Sequence, residues 1–246
     1  MTPDQRGEVR LDRNGPIARI VLDRPAKRNA LNTHMLTELR GRLDDVAADA
    51  DVRVVTVESE GSVFCAGADT GEFSSTTPEL ILGPWTRLGQ RVFAELADLP
   101  QTTVAVLSGS AFGGGLELAM HCDFRVAARS AQVALPEATL GTSPGWSGVD
   151  RVAGIAGLSA ARMLALTGRR YSADDAHGLG IIDIVADDVV DATAELVADI
   201  LRTTPVAQSV LKRALARPMV SAALVDSLAG AYLAASGETS ATRRTQ

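Results

Sequence analysis

Residues 109–123 read GSAFGGGLELAMHCD. Three consecutive glycines, Gly113 to Gly115, stand directly before a short apolar helical pattern of Leu116, Leu118, Ala119 and Met120, with Glu117 as its carboxylate. Just upstream, TTVAVLSG (102–109) is nearly continuously apolar and β-branched, the pattern of a strand buried on both faces in a parallel sheet. A strand, a glycine-rich turn and a helix thus follow one another. Glycines collect at such a turn where a ligand must approach the main chain closely, or where a helix must pack tightly on a strand. The amides that open a helix have no partner within it and carry the positive end of its dipole. Glu117 has a local reason of its own, since an acid in a first helical turn favours that dipole.

Working outward, VRVVTVES (52–59) repeats the buried-strand pattern and leads into its own turn of small residues, EGSVFCAGAD (60–69). Two such turns on neighbouring parallel strands would aim two N–H groups at one point. That geometry binds the negative charge developing on a carbonyl oxygen, and each donor is worth about 3 kcal/mol of barrier. Farther out, EVRLDRNGPIARIVLD (8–23) predicts a hairpin about Asn14-Gly15-Pro16. The spacing of Leu36, Leu39, Leu43 and Val46 predicts a helix over 32–50, capped by Asn32 or Thr33. A looser segment, GEFSSTTPELILGP (71–84), precedes a helix ending near Leu99-Pro100, and FRVAA (124–128) and IIDIVAD (181–187) predict further strands. Glu137, in ALPEATLGTSPG (134–145), follows Pro136 at the start of a helical turn. Beyond Asp188 the pattern is helical, in segments 189–202, 206–216 and 219–235 broken at Pro205 and Pro218, and SGETSATRRTQ (236–246) is a polar tail. The alternation predicts an α/β core over 1–188 and a helical region over 189–246.

A chain of 246 residues suffices for one large domain. The net charge of −6, without any lysine- or arginine-rich stripe, argues against nucleic-acid binding, so an anionic ligand must be held by local groups. No run approaches the roughly 20 apolar residues of a membrane span. MTPDQRGEVRLDRNG (1–15) lacks the apolar centre of a signal peptide, so the expectation is a cytoplasmic protein. Cys65 and Cys122 sit in apolar runs and read as buried thiols in a reducing compartment.

Two other chemistries can be tested on the residues. GTSPG (141–145) matches the G-x-S-x-G nucleophile turn, and Asp174, Asp175 and His177 follow in the α/β-hydrolase order. That turn takes an oxyanion amide from the residue after its serine, which here is Pro144, without an N–H. Glu117 and His121, four apart on a helix, can face a common metal, but no third ligand accompanies them.

Four segments in order resemble the crotonase superfamily, the enoyl-CoA hydratase/isomerase family: LDRPAKRNALN (22–32), FCAGAD (64–69), GGGLELAMHCDFRVAARSAQVALPEATLGTSPGWSG (113–148) and LALTGRRYSADDAHGLGIIDIV (164–185). The resemblance covers about residues 8–215. It implies a spiral of ββα units with a C-terminal helical region that supports homotrimers or hexamers. It also implies an acyl-CoA thioester substrate, of which coenzyme A is a part, and no metal or redox cofactor. By position, the oxyanion amides fall on Ala68, after Ala66-Gly67, and on Gly114, with Ala66 and Asp69 lining the same turn. Lys27 and Arg28 fall near the adenine-binding segment, and Trp146 near the acyl chain. The joint presence of Glu117 and Glu137 favours hydration, with Glu117 activating water and Glu137 protonating the α-carbon. The alternatives are a Δ3,Δ2-enoyl-CoA isomerase, which needs Glu137 alone, and a crotonase-fold scaffold without catalysis. Three departures stand out: Trp146 and Asp150 in PGWSGVDRVAG (144–154), TGEF (70–73) in place of an LKE-like run, and a tail without the usual Phe and Lys.

Overall fold

The computed structural model describes residues 6–216, so the helical segment expected over 219–235 and the polar tail lie outside the described residues. The hairpin forms as β1 (Glu8–Asn14) and β2 (Ile17–Asp23), paired antiparallel. Next come β3 (Val54–Ser59), β5 (Thr102–Leu107), β7 (Phe124–Ala128) and β10 (Ile184–Ala186), giving a six-stranded sheet in the order β1-β2-β3-β5-β7-β10. From β2 onward its neighbours are parallel. Every residue of β5 is buried, which accounts for its nearly continuous apolar and β-branched run. The last strand is shorter than IIDIVAD suggests. Ile181 and Ile182 donate their amides back to Ala176, and Asp183 to Arg125, so the chain joins the sheet edge only at Ile184.

A second, four-stranded sheet was not legible as strands. It comprises β4 (Val63–Cys65), β6 (Ser110–Phe112), β8 (Gln132–Ala134) and β9 (Tyr171–Ser172), in the order β4-β6-β8-β9. Each pass of the chain contributes one strand to the large sheet, the next to the small one, and then helical structure: β3-β4, β5-β6, β7-β8. This is the spiral of ββα units.

Helix α1 (Thr33–Ala47) starts at Asn32, whose side chain accepts the Met35 amide at 2.8 Å, and buries Met35, Leu36, Leu39, Leu43 and Val46. Then come α2 (Thr70–Ser75), α3 (Thr86–Asp98), α4 (Gly114–Met120), α5 (Gly148–Thr167), α6 (Ala173–Gly178), α7 (Val189–Leu201) and α8 (Pro205–Ala216). The main core lies between the sheets and α1, α3 and α4. On the opposite face of the large sheet, Val54, Val104, Val106 and Val126 pack under Val189, Val197 and Ile200 of α7. Asp188 caps α7 through the amides of Val190 and Asp191, so residue 188 opens a helix that covers the sheet. Among the described residues no helix is long and apolar enough to cross a membrane.

Candidate active site

Strands β4 and β6 are parallel neighbours, so the turns that follow them lie side by side. The first turn is pinned to the segment before α1. Leu31 donates to the Gly67 carbonyl at 2.8 Å, Asp69 to that of Leu31 at 2.9 Å, and Ala66 to that of Arg28 at 2.9 Å. In the second turn Gly113 has φ +53° and ψ −127°, a conformation strained for any residue with a side chain. The turns touch: a Cβ on Gly67 would sit 2.9 Å from the Phe112 oxygen and 3.2 Å from the Gly114 nitrogen. Among the described residues, neither the Ala68 nor the Gly114 N–H donates to a protein acceptor. Both border one space, since the Ala68 nitrogen lies 3.3 Å from where a Cβ on Gly114 would be. Two unpaired amides, one of them opening a buried helix, suit an oxygen that gains negative charge.

Arg24 holds the first turn in place. Only 3% exposed, it donates through Nη1 to Asp69 at 2.6 Å and to the Ala30 carbonyl at 2.8 Å. The other Asp69 oxygen accepts the amides of Gly71 and Glu72, capping α2. Burial pushes the proton affinity of Asp69 up, but Arg24 and the two amides outweigh it, and the pKa lies below the ordinary carboxylate value. Both Asp69 oxygens are therefore committed to positioning the residue beside Ala68. Lys27 and Arg28 are exposed, and the Arg28 main chain (φ +52°) is tied to Ala66, which puts this basic pair at the rim of the turn.

Glu117 is 2% exposed, and its Oε1 accepts the amides of Trp146 and Gly148, each at 2.8 Å. Gly148 opens the long helix α5, so the carboxylate sits at a helix N-terminus. Between the two donors, Ser147 takes φ +70°. A side chain at 148 is excluded, because its Cβ would fall 2.4 Å from Glu117 Cγ. Burial pushes the Glu117 pKa up to about 7; the Gly148 and Trp146 amides oppose this, and the Glu137 charge adds to it. Glu137 opens the 3-10 turn Glu137–Leu140. Its Oε1 lies 2.7 Å from where a Cβ on Gly113 would be, and its Oε2 is buried without a hydrogen-bond partner among the described residues. Burial raises its pKa as well. The two amides and the two carboxyls thus gather around Gly113-Gly114, and carboxyls so placed resist simultaneous ionisation.

The other candidates are engaged elsewhere. His121 is buried against Phe93, and its Nδ1 donates to the Glu117 main-chain carbonyl at 2.7 Å; burial lowers its pKa to about 4. Ser143 is exposed, Asp174 pairs with Arg129, Asp175 accepts the Ser172 hydroxyl, and His177 Nδ1 donates to the Ile182 carbonyl. No hydrolase triad forms from them. Three contributors went unseen in the sequence: Arg24, and the amides of Trp146 and Gly148. The Ser147-Gly148 dipeptide, a turn signal before an apolar helix, is the cue that could have pointed to the last.

The fold and these paired turns are those of the crotonase superfamily. The chain belongs to the enoyl-CoA hydratase/isomerase family, whose family model matches residues 12–235. It is similar to the short-chain-enoyl-CoA hydratase of Clostridium acetobutylicum, 33% identical over 215 residues that span 86% of this chain and 82% of that protein. It is also similar to the human enoyl-CoA hydratase domain-containing protein 2, mitochondrial, 37% identical over 208 residues, 82% and 71% of the two chains. The crystal structure of an enoyl-CoA hydratase from Thermoplasma volcanium superposes with a TM-score of 0.91 at 29% identity, covering 97% of both chains. That of the enoyl-CoA hydratase from Bacillus anthracis gives 0.86 at 30%, covering 90% of this chain and 89% of the other.

Proposed function

We propose that the protein is an enoyl-CoA hydratase, adding water across the double bond of a 2-enoyl-CoA. The thioester oxygen accepts the N–H groups of Ala68 and Gly114, which draws electron density from the β-carbon. Glu117 takes a proton from water as the water oxygen bonds to that carbon. Glu137 delivers a proton to the α-carbon, the enolate oxygen returns to a carbonyl, and the two carboxyls exchange one proton to reset. Water addition is redox-neutral, so acid–base groups suffice and neither metal nor redox cofactor is required. General acid–base steps of this kind contribute about 10² to 10⁴ in rate. Lys27 and Arg28, at the rim, provide charge for the phosphates of coenzyme A.

The observation that carries this reading is the grip on Glu117. Two amides hold one carboxylate oxygen beside the oxyanion turn, while burial keeps its proton affinity near neutrality. An isomerase, shuttling an α-proton through Glu137, has no use for such a grip. Loss of the conjugated-enoyl absorbance of crotonyl-CoA tests the proposal. No loss, with turnover of a 3-enoyl-CoA instead, would give the site to the isomerase; no turnover of either would favour a scaffold. We also assign a homotrimer or hexamer, supported by the exposed apolar Leu140, Leu158, Met163 and Leu166 on and before α5, with the mass in solution as the check.

A further inference from the structure

We propose that the Trp146 side chain ends the acyl pocket just beyond the reacting double bond, making four-carbon enoyl groups the preferred substrates. The inference rests on the thioester reading of the site, and its test separates the two.

The indole occupies space that exists only because two residues lack side chains. A Cβ on Gly114 would fall 2.4 Å from its Cζ3, and one on Gly89 of α3 would fall 2.3 Å from its Nε1. The six-membered ring therefore lies on the oxyanion glycine and the pyrrole edge on the neighbouring helix. Trp85 closes a third side at 5.0 Å between ring centroids, and Phe93 a fourth, edge-on, at 5.4 Å. Phe73 packs in turn on Trp85 at 5.7 Å. Trp146 is 1% exposed, with Gly114, Gly89, Trp85 and Phe93 packed around its ring.

Its position relative to the chemistry follows from two contacts. The Ala68 nitrogen and Trp146 Cζ3 lie 3.3 Å and 2.4 Å from one point on Gly114, so the ring edge borders the space where the thioester oxygen binds. At the other end of the residue, the Trp146 amide holds Glu117, which addresses the β-carbon. Carbon atoms extending past the β-carbon meet this wall. Packing alone does not account for the residue type. Nε1 of Trp146 and Nε1 of Trp85 are both buried without a hydrogen-bond partner among the described residues, a destabilising state that phenylalanine would avoid. Two adjacent indoles keep a width that a smaller ring would not supply.

The test has two arms. In the first, kcat/KM is measured for 2-enoyl-CoAs of four, six and ten carbons; the wild type is expected to fall at least about a hundredfold from the shortest to the longest. In Trp146→Leu and Trp146→Ala, which keep the amide to Glu117, the ten-to-four-carbon ratio should rise at least about tenfold. The second arm, calorimetric binding of butanoyl-CoA and decanoyl-CoA, needs no turnover. Wild type should bind the longer chain no more tightly than the shorter, and the variants should reverse that order. Equal wild-type kcat/KM at four and ten carbons, tighter wild-type binding of decanoyl-CoA, or an unchanged ratio in folded variants would each overturn the proposal. Should the variants not fold, the wild-type panels decide alone. Preference for butanoyl-CoA without hydration of crotonyl-CoA would retain the pocket and remove the hydratase.

Discussion

Replacing Glu117 by glutamine should make the protein more stable and far less active. Folding raises this carboxyl from its ordinary value of 4.5 to about 7. At about 1.4 kcal/mol per pKa unit, the shift corresponds to about 3 kcal/mol, and at 2% exposure solvent does little to reduce it. Because the folded pKa is the raised one, the stability that the protonated group confers is complete below 4.5 and is lost as pH rises through about 7. Glutamine retains an oxygen for the Trp146 and Gly148 amides and cannot ionise, so that loss disappears. Urea unfolding at pH 5 and pH 8, at one protein concentration, should show the advantage of Glu117→Gln growing by about 2–3 kcal/mol at the higher pH. Crotonyl-CoA hydration should drop at least about a hundredfold at the same time. Parallel loss of stability in both proteins between pH 5 and 8 would refute the claim that Glu117 is driven to hold a proton. Wild-type turnover in the variant would remove it from the mechanism.

Ser147→Val places a β-branched residue at φ +70°, costing about 1–3 kcal/mol by thermal unfolding and displacing the amides on Glu117. Those amides oppose protonation, so the acid limb of the kcat/KM profile should move to higher pH, while Ser147→Gly should stay near wild type. Arg24→Ala strands Asp69 in a mostly buried site and should cost about 3–5 kcal/mol, measured by denaturant unfolding, with kcat falling as the Ala68 turn loosens. A neutral Asp69→Asn should be milder, and equal effects would deny the ion pair its role.

The parts legible in the sequence are those written in neighbouring residues. The valine-rich runs at 52–59 and 102–109, the Asn32 cap and the heptad-like leucines of α1 announced their structures locally. The amide-rich turns did so too, because glycine is needed where backbones meet. The small sheet escaped, since strands of two or three residues carry no period, and so the turns were placed after β3 and β5 rather than β4 and β6. What Glu117 touches escaped for another reason. Its donors lie about thirty residues away, and main-chain N–H groups leave no signature in residue type. Asp69 shows the same limit: in the sequence it stands at the substrate turn, and only the fold reveals Arg24 beside it. The roles of Glu117 and Glu137 came from family resemblance; what the fold adds is that both carboxyls are buried near Gly113-Gly114 with raised proton affinities.

His121 stands one turn past Glu117, lending its Nδ1 proton to the glutamate's main chain. With its basicity held near 4, the ring remains uncharged through the whole neutral range. A cation at that spot would drag the glutamate's acidity towards that of a surface carboxyl. The ring therefore adds no charge behind Glu117 at neutral pH, and the cation on that side is Arg151, which donates to the Met120 carbonyl at the end of the same helix at 3.1 Å.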